Sequence, residues 1–131
     1  MAADFIDEAF RAILVADAGI IATGASVFVN SISQGTTAPF ILVTQVSRIP
    51  SETKDGASIT DTFRVQVDSW DTSISTARDI NDAVKSALDT YSGTEGNVKI
   101  INTWLASEQT VRDDTLELNG VSSDYMVIKT D

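Results

Sequence analysis

Between Phe63 and Tyr91 the hydrophobic period changes from two residues to between three and four, and that change limits what the chain can fold into. Phe63, Val65 and Val67 share one side of an alternating stretch, while Arg64, Gln66, Asp68 and Trp70 fall on the other, the pattern of a strand with one buried face. After the polar link Asp71 to Ser75, the residues Ala77, Ile80, Ala83, Val84, Ala87, Leu88 and Tyr91 form one helical stripe. A strand that feeds an amphipathic helix can bury both apolar faces against each other. The expected core is Phe63, Val65, Val67, Ile80, Val84 and Leu88, with Ser75 or Thr76 as the helix N-cap and Ser92 to Gly96 as its stop.

The remaining segments are shorter. Ile6, Ala9, Phe10, Ile13 and Leu14 predict a helix over 4–16, with Asp4, Asp7 and Glu8 in its first turns where the dipole favours acids. Ile20 to Ala22 reads as one short helical turn between glycines, and Val27 to Val29 as a brief edge strand. Pro39 introduces Phe40 to Ser47, a β-branched run expected to be a central strand. Residues 50–58 are polar or small and predict a flexible loop. A strand at about 97–106, a turn at Arg112, Asp113 and Asp114, and a closing strand over 124–129 complete the chain. Trp104 is assigned to the core, whereas Trp70 is compatible with either core packing or a partner contact.

These elements give the order α-β-β-β-α-β-β: an α+β fold with a mainly antiparallel sheet of four to five strands and two helices on one face. At 131 residues the chain is expected to be a single domain. It has 9 Lys and Arg against 19 Asp and Glu, a net charge of −10, with its cations scattered singly, which argues against a phosphate-binding groove. Cysteine and histidine are absent from the composition, so thiolate nucleophiles, imidazole ligands and disulfides are excluded. No apolar run approaches the ~20 residues that span a bilayer, and the acidic N-terminus is unlike a signal peptide, so neither membrane nor export is expected. Carboxylate pairs (Asp79 with Asp82, Asp113 with Asp114, Asp68 near Asp71) are the remaining candidate oxygen ligands for a hard cation, but a solvated helix face and a turn are much the commoner explanation of such pairs. No cofactor or metal is expected.

In three places the residues resemble one family. These are the acidic helix Phe5 to Leu14, the turn that ends in Ala38, Pro39, Phe40, Ile41, Leu42 and Val43, and the block Phe63 to Trp70 followed by Ala77 to Asp89. Together they look like the tail-completion, or tail-terminator, proteins of long-tailed phages and gene-transfer particles. The segment Leu116 to Gly120 departs from that pattern. The resemblance implies a structural virion protein, not an enzyme. It implies a homo-oligomer, a six-membered ring that caps the tail tube, ends its polymerisation and joins the tail to the head connector or stopper protein, with DNA passing through the lumen. The place implied is the head–tail junction of a particle assembled in the bacterial cytoplasm. Another neck or minor tail component, and an acidic α+β binding module, are the alternatives. Candidate contacts with other subunits or the tube are Arg64, Gln66, Asp68 and Trp70 on the strand and Glu52, Lys54 and Asp55 in the loop.

Overall fold

A computed structural model of the chain describes residues 3–32, 35–50 and 60–130. Helix α1 (Ile6–Ala16) buries Ile6, Ala9, Phe10, Ile13 and Leu14, the stripe read from the sequence. It starts where the Glu8 carboxylate turns back to accept the N–H groups of Asp4 (3.0 Å) and Phe5 (3.2 Å), donors that the first turn leaves without partners. Asp17 ends α1, and its carboxylate accepts the Ile20 N–H at 3.3 Å to start α2 (Ala18–Thr23). Only a single turn, over Ile20 to Ala22, was expected of that second helix.

Six strands form one sheet: β1 (Ser26–Val29), β2 (Phe40–Pro50), β3 (Thr60–Asp71), β4 (Gly93–Glu95), β5 (Val98–Asp113) and β6 (Leu118–Thr130), in the order β1-β2-β3-β6-β5-β4. The fold is α+β as expected, with more strands and one more helix than the sequence suggested. β1 does lie at an edge, but it runs parallel to β2, Ser26 opposite Phe40 and Val29 opposite Val43, so the sheet is mixed. Four residues span only about 13 Å, a distance that the link to β2 can retrace before pairing begins. The Gly93-to-Glu95 segment, expected to be part of a turn, pairs with Val98 to Ile100 as β4. At the following turn Gly96 has φ +59, and a Cβ there would stand 2.4 Å from the Ala3 nitrogen; the Asn97 N–H donates to Ala3 O at 2.8 Å. Glycine lets that turn clamp the chain leading into α1.

Helix α3 (Ile74–Leu88) begins after Ser73 and ends before Asp89, earlier at both ends than expected. Its stop is made by the sheet. Asp89 turns extended, its carboxylate accepts the Leu105 N–H at 3.1 Å, and the Thr90 N–H donates to Thr103 O at 2.8 Å, so the exit of the helix is zipped onto β5. α1 and α3 pack over one face of the sheet. Ala77, Ile80, Val84 and Leu88 close on Val65, Val67, Tyr125 and Val127, all fully buried, and Phe10 meets Tyr125 edge-on with ring centroids 6.3 Å apart. Burying each of the larger side chains contributes about 1.5–3 kcal/mol.

The last two strands depart most from expectation. In place of a strand at about 97–106, a turn at 112–114 and a strand over 124–129, β5 and β6 form one long hairpin that turns at residues 114–117. Two bulges hid it. Ile101 and Ala106 are extra residues with no partner on β6, and each reverses which parity faces the helices. Val98 and Ile100 face the core before the first bulge, Thr103 and Leu105 after it, and Glu108, Thr110 and Arg112 take that side after the second. Among the described residues, no helix is long and apolar enough to cross a membrane.

Candidate assembly surface

The face of the sheet away from the helices is built by the other parity of each strand. On β3, in the middle, this places Arg64, Gln66, Asp68 and Trp70 in one column. Their neighbours on β6 are Met126, Asp124, Ser122 and Gly120, and on β2 they are Ser47, Thr44, Leu42 and Phe40. Four of the seven residues expected to make contacts are therefore brought together. Glu52, Lys54 and Asp55, with the loop over 50–58 apart from Pro50, lie outside the described residues.

The column is less free than its polarity suggested. Arg64 pairs with Asp124 at 2.5 Å, and the Ser107 hydroxyl donates to the same carboxylate at 3.1 Å, so one row joins β3, β6 and β5. Gln66 donates through Nε2 to both Asp68 oxygens at 3.1 and 2.9 Å. Asp68 lies on this face as expected but is only 8% exposed, because Gln66 and the surrounding strands cover it. Because Arg64 is about half exposed, its pair contributes no more than about 1 kcal/mol. Trp70 is half-buried, held over Gly120.

Towards the other end the same face turns apolar. Trp104 stands opposite Met126, Ile128 opposite Thr62, and Thr62 opposite Ile49, which is 61% exposed. Trp104 is 36% exposed, so its assignment to the core is corrected. The bulge at Ile101 turned it to the open face. This apolar half was missed by sequence reasoning, although the alternation of Tyr125 and Val127 with Met126 and Ile128 carried the signal.

Of the carboxylates considered as ligands, Asp71, Asp113 and Asp114 are occupied in local structure. Asp71 accepts the Ser73 N–H at 3.0 Å, Asp113 accepts the Leu116 N–H at 3.1 Å, and Asp114 accepts from Arg112 Nε at 2.7 Å. Asp79 and Asp82 stand exposed on α3. Among the described residues, no three acids converge where they could hold a metal ion. Inside the core, burial pushes the Tyr125 phenol well above its ordinary range, and the nearby Asp89 and Glu108 carboxylates add to that. Burial, with Glu95 nearby, raises Tyr91 as well.

Both sheet edges are partly guarded. At β1 the Arg11 Nε donates to the Val27 carbonyl at 3.3 Å. At β5, β4 covers Val98 to Ile100, and Asp89 and Thr90 cover Thr103 and Leu105. Beyond Leu105 no described strand lies along the outer side of β5.

A family model described as tail completion protein gp17 matches residues 8–129. No curated protein sequence matches the chain. Among solved structures, a chain in one titled "Virion of native gene transfer agent (GTA) particle" superposes with a TM-score of 0.75 at 14% identity, covering 96% of this chain and 95% of that one. At that identity the likeness is one of fold.

Proposed function

Because the chain belongs to the tail completion protein gp17 family, and so to the structural proteins of phage tails, we propose that it closes the tail at its head-proximal end. Six copies form a ring that caps the tail tube, stops further addition of tube protein and presents the surface on which the head connector or stopper protein docks. The particle is assembled in the bacterial cytoplasm and the ring sits at the head–tail junction. DNA passes through without specific binding, and no catalytic step is assigned to the chain. The match over residues 8–129 carries this reading.

Three physical features support it. Six copies would carry roughly −60, a charge that keeps phosphate from adhering to a lumen wall. A closed ring needs two different patches on each subunit, and the open sheet face with its polar column and apolar half differs from the helix-covered face. Arg64, Gln66, Asp68 and Trp70 on that face, with Glu52, Lys54 and Asp55 beyond it, are the proposed contacts with neighbouring subunits or the tube. A single domain serves this purpose.

The test is genetic. Particles made without this chain should yield tails that overrun their normal length and free, DNA-filled heads. Tails of normal length joined to heads would contradict the proposal. Trp70→Ala addresses the contact surface: unchanged ring formation and tail attachment would remove Trp70 from it.

A further inference from the structure

We propose that the outer edge of β5 from Glu108 to Arg112, with the groove between it and α3, takes up an extended segment of a different virion protein by strand addition. Thr103 and Leu105, whose side chains face the helices, turn their backbone groups outward: Thr103 O accepts from Thr90 N at 2.8 Å, and Leu105 N donates to Asp89 at 3.1 Å. In a strand of one direction and chirality, side-chain face and backbone direction are coupled. The next helix-facing residues after the Ala106 bulge, Glu108, Thr110 and Arg112, therefore also direct their N–H and C=O outward. There no described strand pairs with them, as none pairs with the outer side of β2 from Thr44 onward, and the groove beside β5 sets this edge apart. A bare edge of this kind is a template for another strand.

The second observation lies beside that edge. Two hollows of about 370 and 290 Å³ run between α3 and β5 and share Arg78. The larger is bordered by Asp82 and Glu108, the smaller by Ile74, Thr110 and Arg112. An added strand would hold its alternate side chains in these hollows, so backbone bonds supply affinity and the hollows supply selectivity. The charges dictate which side chains fit. Glu108 is tied to Asn81, and Arg112 to Asp114 and Asn119, while Arg78 makes no ion pair with any described residue. A segment antiparallel to β5 matches when an acid lies opposite Arg112 and Arg78 and a base follows four residues later opposite Glu108 and Asp82. A second copy offers no such strand at its other edge, because neither Ser26–Val29 nor the stretch of β2 from Thr44 to Ile49 carries an acid, and the Val27 carbonyl is taken by Arg11.

That the segment comes from another virion protein rests on the tail reading; the measurement below does not, so the groove and the role in the tail fail separately. The probe is a nine-residue peptide centred on Glu-Val-Thr-Val-Lys, titrated into the whole chain while amide hydrogen exchange is followed. Exchange should slow at Glu108, Thr110 and Arg112. Thr110→Pro removes an outward N–H without touching the β6 ladder, and prolines are tolerated at such edge positions. It should weaken binding at least tenfold, as should Arg78→Ala, as should exchanging Glu and Lys in the peptide. Should Thr110→Pro lose the fold, Arg78→Ala and the exchanged peptide decide. No slowing at millimolar peptide, or equal binding of the exchanged peptide, would overturn the proposal. Self-association of the chain abolished by Thr110→Pro would assign the edge to a second copy and overturn the choice of partner.

Discussion

Trp70 and Gly120 face each other across β3 and β6, and the indole occupies the space that a side chain at 120 would need: a Cβ there would stand 2.7 Å from Trp70 Cε3. Glycine within a strand costs about 0.5–1 kcal/mol relative to alanine, so its presence here reflects the ring above it. Such a ring over a cross-strand glycine is a recurrent way of filling the gap.

Gly120→Ala should therefore destabilise the fold by about 1–3 kcal/mol instead of stabilising it, and displace the Trp70 ring. Denaturant unfolding with tryptophan fluorescence measures both. With Trp70→Ala already present, the same change should be neutral or favourable, which marks the clash as the cause.

Asn81 ties α3 to two strands. The buried Ser123 hydroxyl donates to Asn81 Oδ1 at 2.6 Å, and Asn81 Nδ2 donates to Glu108. Asn81→Ala should cost about 1–3 kcal/mol, because the Ser123 hydroxyl is left buried without its acceptor. Adding Ser123→Ala should recover part of that loss in equilibrium unfolding.

The Tyr125 hydroxyl is buried and has no hydrogen-bond partner among the described residues. Tyr125→Phe should leave stability at neutral pH unchanged within about 1 kcal/mol. The two chains should separate in alkali. Folding holds the phenol neutral above its ordinary 10.0, so its contribution is complete below that pH and declines above it, where only the unfolded chain ionises. The decline approaches about 1.4 kcal/mol per pH unit, and thermal unfolding from pH 9 to 11.5 should show it only with tyrosine present.

What could be read in advance follows from where each residue finds its partners. The faces of β3 and α3 were legible because alternation and the helical stripe are local: Val65, Val67, Ile80 and Val84 needed nothing distant to identify them. β5 was not, since Ile101 and Ala106 each reverse the parity, and Arg112, Asp113 and Asp114 look like a turn although Arg112 and Asp113 continue the strand. The parallel pairing of β1 was equally hidden, because four residues carry no signal of strand direction. At the candidate surface, Arg64, Gln66, Asp68 and Trp70 were correctly placed on one face. Their freedom was overestimated, because the groups that engage them, Asp124 and Gly120, lie far along the chain.

The proposed closure of the tail by a ring of this chain at the head–tail junction is open to direct observation. Electron cryomicroscopy of particles carrying a labelled copy of the chain measures position and copy number together. One six-fold ring is expected between the last layer of tube protein and the head connector. Label at the distal tip, along the whole tube, or in a number other than six at the junction would contradict it.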